Sequence, residues 1–328
     1  MCGVQLMQEK ARSEAQKTGS RTVLVPGWLH DHALAVLKDK FDVVKLDGPG
    51  EIEQLPSETR QSIVALACKA QISAATMDAL PNLEIISSYG VGYDAIDVDA
   101  ARSRDIVVTN TPNVLNEDVA DTAIGLLINV VRELSRAEAY IREGKWASAD
   151  YPLSRLTLRN RKVGIYGMGR IGQCIASRLE PFGVEIVYHN RRAVDGLPYP
   201  YFALLIDMAR EVDTIISIVP GTPETELTIN EDVLAALGAD GVLINMGRGS
   251  VLDEAALVRA LKSNTIAAAG LDVYNNEPHI SADLISAPNL TLLPHIGSAS
   301  MHTRKEMADL LARNVVSWME TGAALTAV

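Results

Sequence analysis

The sequence predicts an α/β fold of two doubly wound domains, each with a parallel sheet, and three observations predict it. Short apolar, β-branched runs alternate with helix-sized segments from Arg21 onward, a second such series begins near Lys162, and 328 residues, 48% of them apolar, suffice to bury two cores. In the first series the strand candidates are Thr22–Pro26, Phe41–Val44, Ile63–Leu66, Leu83–Ser87 and Ile106–Val108, with helices such as Ala33–Lys38 and Ala74–Leu80 between them. Mostly apolar rather than strictly alternating, they read as strands buried on both faces. One long helix is predicted over Asn116–Gly144, where Val119, Ala123, Leu126, Leu127 and Val130 recur at helical spacing, bridging the domains. The second series supplies six strand candidates: Lys162–Tyr166, Val184–His189, Thr214–Val219, Val242–Asn245, Ile266–Val273 and Leu290–Leu293. A last amphipathic helix, opening at Ser300 and carrying Met307, Leu310, Leu311, Val315 and Trp318, is expected to pack back on the first domain.

Composition excludes several function classes. Thirty Lys and Arg against 41 Asp and Glu give a net charge of −11, which argues against a nucleic-acid footprint. Cys2, Cys68 and Cys174 are odd in number and widely spaced, so neither a disulfide framework nor a metal site is expected, and a reducing cytoplasm fits them best. No run of about 18 apolar residues occurs, so no membrane-spanning helix is expected. Residues 1–20, mixed in charge and without an apolar core of signal-peptide length, read as a frayed extension outside the domains.

Gly167-Met168-Gly169-Arg170-Ile171-Gly172 lies between the strand candidate ending at Tyr166 and a helix predicted over Arg170–Leu179. In that context the first glycine permits a tight turn, the second lets a pyrophosphate approach the backbone, and the third lets helix and strand pack closely. The phosphate would meet the unpaired amides and positive dipole end of the helix. About twenty residues on, where an acidic side chain would bind a ribose 2′-hydroxyl, the chain has His189-Asn190-Arg191-Arg192. Without the acid nothing repels a 2′-phosphate, and Arg191 and Arg192 offer cations to hold one, so NADPH/NADP is favoured and NADH/NAD is the secondary cofactor.

Three polar residues follow strand candidates of the second series: Arg248 after Val242–Asn245, Glu277 beside Pro278, and His295 in Pro294-His295-Ile296-Gly297. The carboxyl edge of an open α/β sheet is where ligands bind, so separate strands deliver all three to one crevice. Reduction of a 2-oxo acid leaves charge on the former carbonyl oxygen, which an imidazolium at His295 can protonate. Glu277 would orient that ring and favour its protonated form. Arg248 would bind the substrate carboxylate and polarise the carbonyl, with Gly247 and Gly249 permitting close backbone approach.

With these motifs in order, the chain resembles the D-isomer-specific 2-hydroxyacid dehydrogenase family, and within it the NADPH-dependent glyoxylate/hydroxypyruvate reductase and hydroxyphenylpyruvate reductase branch. The matching stretches are Tyr89-Gly90-Val91-Gly92-Tyr93-Asp94, Val108-Thr109-Asn110-Thr111-Pro112, the Gly167–Gly172 motif, Asn245-Met246-Gly247-Arg248-Gly249, Leu271-Asp272-Val273-Tyr274 with Glu277-Pro278, and Pro294-His295-Ile296-Gly297-Ser298. The resemblance implies two Rossmann-like domains with the active site in the cleft between them. Residues 21–112 and 299–328 would form the substrate domain and 113–298 the dinucleotide domain, with hinge crossings at Thr109–Asn113 and Gly297–Ser300 and closure that excludes water. It implies that the amides of Val91 and Gly92 hold the substrate carboxylate. Further cofactor contacts are implied at Val219, Pro220, Thr225, Met246, Gly247, Asp272, His295 and Gly297. A homodimer is implied through Asn116–Tyr151, with Trp146 either reaching the partner's substrate or packing in the interface.

Two positions depart from the family pattern. Asp121 stands where many relatives carry Glu, so one helix-start contact is expected to be shorter. Asn190 replaces the acid of NAD-using members and matches the NADPH-preferring reductases. Reduction of a small 2-oxo acid to the D-2-hydroxy acid is the expected activity. An aryl-pyruvate reductase stays open, as does phosphite oxidation, which uses the same Arg, Glu and His set. A non-catalytic nucleotide-sensing corepressor on the same scaffold is the reading from another class. Formate oxidation is set aside because Glu277 stands where those enzymes carry Gln.

Overall fold

A computed structural model describes residues 21–328; the expected extension at 1–20, with Cys2, lies outside the described residues. The chain divides into two compact units, one of residues up to Leu115 together with Met301–Val328, the other Asn116–Ser300. These boundaries fall a few residues beyond those expected from the sequence.

In the first unit the chain runs β1 (Thr22–Pro26), α1 (Asp31–Lys40), β2 (Asp42–Leu46), α2 (Ser57–Ser62), β3 (Ile63–Cys68), α3 (Ala74–Asp78), β4 (Ile85–Ser88), α4 (Val98–Arg102) and β5 (Val107–Thr109). All pairings are parallel, in the order β2-β1-β3-β4-β5. Because β1 and β3 lie inside the sheet, Val23, Leu24, Ile63 and Leu66 are fully buried. Side-chain caps start the short helices: Asp97 accepts from the Ala100 amide at 2.9 Å before α4, and Ser73 from the Thr76 amide before α3. The C-terminal helix, Met301–Thr321, belongs to this unit and buries Met307, Leu311 and Val315, while Trp318 Nε1 donates to Glu84 at 2.9 Å. Fully buried Asn314 ties down the tail: its carbonyl oxygen accepts from the Leu325 and Thr326 amides, both at 3.0 Å, and its amide donates to Thr326 Oγ1 at 2.8 Å.

The second unit opens with α5 (Asn116–Arg132) and α6 (Leu134–Arg142), then β6 (Lys162–Tyr166), α7 (Arg170–Leu179), β7 (Glu185–His189), β8 (Tyr201–Phe202), α8 (Leu205–Glu211) and β9 (Thr214–Ser217). It continues with α9 (Glu231–Leu237), β10 (Val242–Asn245), α10 (Glu254–Lys262), β11 (Ala268–Leu271), α11 (Ala282–Ile285) and β12 (Leu290–Leu292). The strands are parallel in the order β12-β11-β10-β9-β6-β7-β8, and the winding reverses between β6 and β9, the switch point where doubly wound sheets bind ligands.

Two expectations are corrected. The helix read as continuous over Asn116–Gly144 breaks at Glu133, whose φ of +54° leaves the helical region. Asn129 Oδ1 takes the Ser135 amide at 2.8 Å and Glu133 takes the Tyr151 hydroxyl at 2.8 Å, tertiary and capping bonds that no glycine or proline announces. The sheet has a seventh strand, β8, only two residues long after Pro200, held by the Tyr188 amide donating to Pro200 O at 3.0 Å. Asp121 pairs with Arg178 at 2.5 Å and so ties α5 to α7. Among the described residues no helix is long and apolar enough to cross a membrane.

Replacing Asn314 by Leu keeps the volume but takes the acceptor from the Leu325 and Thr326 amides. Asn314→Leu is expected to lose about 2 kcal/mol of unfolding free energy in denaturant titration, whereas Asn314→Asp, which retains the acceptor, loses less.

Candidate active site

The glycine turn at the switch point is shaped by close approaches. Gly167 has φ +107°, and a Cβ there would meet Val219 Cγ1 at 2.9 Å. A Cβ on Gly172 would lie 2.1 Å from Gly167 O, so any side chain would force α7 away from the turn. A Cβ on Gly169, the residue before α7, meets nothing within 4 Å. The open space lies at the second glycine, at the amide end of a ten-residue helix, which is what an incoming pyrophosphate requires. Arg170 and Ile171 open that helix, and Met168 is buried beneath the turn.

Asn190 has a structural part the sequence did not suggest. Its Oδ1 accepts the Met168 amide at 2.6 Å, joining the end of β7 to the glycine turn, while Arg191 and Arg192 are exposed. Thr225, expected as a cofactor contact, has its hydroxyl engaged in its own loop, donating to Pro220 O at 2.7 Å and accepting the Thr222 amide at 2.9 Å. Nearby Glu224 is held below the usual carboxylate range by the Thr222 hydroxyl first, its own amide next, and the charge of Arg191. A nicotinamide dinucleotide fits these residues: an open helix N-terminus for its phosphates, and exposed cations just past the end of β7, where the ribose would lie.

The three polar side chains come from the loops after β10, β11 and β12, adjacent strands at one sheet edge. Asn245, the last residue of β10, grips the first loop from both sides, accepting the Gly247 amide at 3.2 Å and donating to Arg248 O at 3.0 Å. Arg248 Nη1 donates to Gly247 O at 2.8 Å. The close approach that Gly247 and Gly249 permit is to the protein itself: a Cβ on Gly247 would lie 2.5 Å from Val219 O, and one on Gly249 1.9 Å from the Tyr274 carbonyl carbon. Gly249 therefore seats the Arg248 loop against the loop carrying Glu277.

Glu277 receives two donors. Its Oε1 accepts the Tyr274 amide at 3.0 Å, and its Oε2 lies 2.7 Å from His295 Nδ1. A carboxylate only accepts, so Nδ1 carries a proton and Nε2 is the nitrogen turned away from Glu277. Burial pushes the Glu277 carboxyl up, but the hydrogen bonds from His295 and the Tyr274 amide, with the charges of His295 and Arg248, outweigh it and hold the carboxyl below its usual range. The His295 side chain is 42% exposed, so the ring is reachable.

His295 itself sits at φ +53°, a conformation unfavourable for a side-chain-bearing residue. Asp272 holds it there: its carboxylate oxygens accept the Ile296 amide at 2.7 Å and the Gly297 amide at 2.8 Å. Burial raises the Asp272 carboxyl above its ordinary value, and those two amides with the His295 charge oppose the rise. Met246 and Gly297 pack beside this clamp; a Cβ on Gly297 would meet Asp272 Oδ2 at 3.1 Å and Met246 Cε at 3.3 Å.

Sequence reasoning missed Asn245, the clamping part of Asp272, and Tyr274. The signal for the first two was a polar residue ending an apolar strand, at Ile244-Asn245 and Leu271-Asp272. In the first unit, the Gly90-Val91-Gly92 turn follows β4; Asn110 Nδ2 donates to Val91 O and the Thr111 amide to Gly90 O, each at 2.8 Å. Both bonds engage carbonyls and consume no amide of Val91 or Gly92. Trp146 lies in a single helical turn, Lys145–Ala147, 64% exposed.

Residues 124–297 match the family model described as D-isomer specific 2-hydroxyacid dehydrogenase, NAD binding domain. A glyoxylate/hydroxypyruvate reductase A of Arabidopsis thaliana is 39% identical over 294 residues, covering 89% of this chain and 94% of that protein. This chain belongs to the D-isomer specific 2-hydroxyacid dehydrogenase family. A 2-ketogluconate reductase of Gluconobacter oxydans is 46% identical over 252 residues, 77% of this chain and 81% of that protein. The crystal structure of an NADPH-dependent glyoxylate/hydroxypyruvate reductase from Sinorhizobium meliloti, in complex with NADP and malonate, superposes with a TM-score of 0.91 at 50% identity, covering 94% of this chain and 97% of that one. As a member of this family the chain is an NAD(P)-dependent oxidoreductase with two parallel-stranded α/β sheets.

The Glu277 contact makes fold stability depend on pH. Its folded-state carboxyl lies below the ordinary 4.5, so the contact stabilises the fold above that value and is lost as pH falls through the folded value. Urea midpoints of the wild type and Glu277→Gln are expected to differ at pH 6 and to converge well below pH 4.5; a gap that widens in acid would contradict the sign.

Proposed function

We propose that this chain reduces a small 2-oxo acid of the glyoxylate/hydroxypyruvate type to the D-2-hydroxy acid, with NADPH as the preferred donor and NADH as a secondary one. The observation that carries the reading is the 2.7 Å Glu277–His295 pair, set beside the Arg248 loop at the carboxyl edge of a dinucleotide-binding sheet. A bound reduced nicotinamide would supply hydride to carbon 2. Arg248 draws charge onto the carbonyl oxygen and holds the carboxylate, for which the Val91 and Gly92 amides would be further donors. His295 gives the proton on Nε2 to that oxygen as its charge develops, and Glu277 stabilises the imidazolium until it does so. The arrangement runs in reverse for oxidation, with neutral His295 accepting the proton.

Asn190 in place of an acid, with Arg191 exposed beside it, supports the preference for NADPH. A homodimer through Asn116–Tyr151 is supported by apolar side chains on this segment left to solvent, Leu134, Ile141 and Trp146 among them, with Leu153 just beyond. Trp146 either reaches the partner's substrate or packs in that interface. Free Cys68 and Cys174 accord with work in a reducing cytoplasm.

Oxidation of NADPH and of NADH is measured by loss of nicotinamide absorbance against glyoxylate, hydroxypyruvate, phenylpyruvate and pyruvate. Turnover is expected with NADPH above NADH; His295→Ala loses about a hundredfold or more of kcat while still binding NADPH, and Asn190→Asp moves the preference toward NADH. Cofactor binding without turnover of any 2-oxo acid would contradict the reading and favour a nucleotide-sensing binding protein or phosphite oxidation.

A further inference from the structure

The Gly90-Val91-Gly92 turn, which follows β4, is pinned by its carbonyls. Two successive residues after β5 reach it: Asn110 Nδ2 donates to Val91 O and the Thr111 amide donates to Gly90 O, each at 2.8 Å. A trans peptide plane carries its C=O and its N–H in opposite directions. The Gly90 carbonyl shares a plane with the Val91 amide, and the Val91 carbonyl shares one with the Gly92 amide. Each carbonyl bond therefore fixes the direction of one amide, pointing it away from the residue that holds the carbonyl. Asn110 and Thr111 are both buried, so the holding residues are shielded from water.

Asn110 is itself held from far along the chain. The Thr326 hydroxyl donates to Asn110 O at 2.6 Å, and Thr326 O accepts the Asn110 amide at 3.3 Å. Beside them Thr109 and Ala327 pair antiparallel, and the Val328 amide donates to Val108 O at 3.0 Å. Residues 326–328 thus run along β5, the edge strand of the first sheet. Asn314 in the C-terminal helix fixes Thr326 in turn, its Oδ1 taking the Thr326 amide at 3.0 Å and its Nδ2 donating to Thr326 Oγ1 at 2.8 Å. That hydroxyl receives one proton and gives its own to Asn110 O, so it serves as acceptor and donor at once. Asn314, Thr326, Asn110 and Val91 form one path from the helix to the turn, all within the first unit.

We infer that Asn110 and Thr326 are positioning residues for the substrate: Asn110 aims the Gly92 amide at the substrate carboxylate, and Thr326 keeps Asn110 in place. Neither touches the substrate. The inference rests on the reductase reading, in which the Val91 and Gly92 amides are donors to that carboxylate. An amide turned out of line makes a weaker bond. The carboxylate keeps its charge through hydride transfer, so bound substrate and transition state lose that bond alike, and the loss appears in KM rather than in kcat.

The test is steady-state kinetics with glyoxylate and NADPH in Asn110→Ala, Thr326→Val and Thr326→Ser. Asn110→Ala removes the bond to Val91 O and keeps the main-chain bonds to Thr326; Thr326→Val removes the hydroxyl at similar shape, and Thr326→Ser retains it. Asn110→Ala and Thr326→Val are each expected to raise KM for glyoxylate about tenfold, with kcat and the KM for NADPH little changed. Thr326→Ser is expected to recover most of the wild-type KM. Because both residues act through the Val91 carbonyl, the double variant is expected to raise KM by less than the product of the two effects. A purely structural role would lower the fraction of active enzyme, and so the apparent kcat, while leaving KM in place; that result overturns the inference. An unchanged KM in Asn110→Ala overturns it too, and this variant decides the matter if Thr326→Val fails to fold. A wild type that reduces no 2-oxo acid overturns the proposed function, and this inference with it, so the two failures are told apart.

Discussion

The buried carboxylate of Asp272 is the interaction on which the site depends. Taking a carboxylate out of water is expensive unless its oxygens are satisfied, and here both are, by the successive amides of Ile296 and Gly297. Those two bonds turn the chain after β12 sharply enough to hold His295 at φ +53°. Without them a histidine would relax out of that region at once, and its ring would leave Glu277. The Asp272 amide in turn donates to Asn245 O at 3.0 Å, fixing the clamp to β10. The functional geometry is thus pinned to β10, an interior strand of the sheet.

From that clamp the contacts run without a gap. Asn245 grips the Arg248 loop, Gly249 lets that loop lie against Tyr274, the Tyr274 amide orients Glu277, and Glu277 orients His295. Each link is a backbone group or a side chain held by hydrogen bonds in a loop leaving the carboxyl end of a strand, where conformational freedom is small. Precision of this kind is what a proton donor needs, since displacement of a reacting atom by about 1 Å is costly. The same logic applies to the glycine turn, where Gly172 and Gly167 allow approaches that no side chain would, and Asn190 ties Met168 to the end of β7.

Much of this was legible in the sequence, for physical reasons that differ by residue. Strands such as Ile63–Cys68 and Val242–Asn245 are buried on both faces, so they appear as unbroken apolar runs. The Gly167–Gly172 spacing is legible because sterics leave it no substitute. The break at Glu133 and the strand at Tyr201–Phe202 were not legible: the first is made by Asn129 and Tyr151 through tertiary bonds, and the second is too short to carry a period. Arg248, Glu277 and His295 were found by their places after strands and by family resemblance. The side chains that position them, Asn245 and Asp272, show only as polar residues at strand ends. Substrate selectivity was beyond reach because it depends on the shape of a pocket, which spacing along the chain does not encode.

The central claim is that Glu277 fixes the His295 ring with its Nδ1 proton engaged, leaving Nε2 to exchange a proton with substrate. The direct measurement is the nitrogen-15 spectrum of the histidine side chains in the free enzyme, with His295 assigned by its absence in a substituted variant and the ring in its neutral form. A proton resident on Nδ1 and a bare Nε2, reversed or averaged in Glu277→Gln, is the result this account predicts. A neutral His295 ring protonated at Nε2 in the wild type would contradict it.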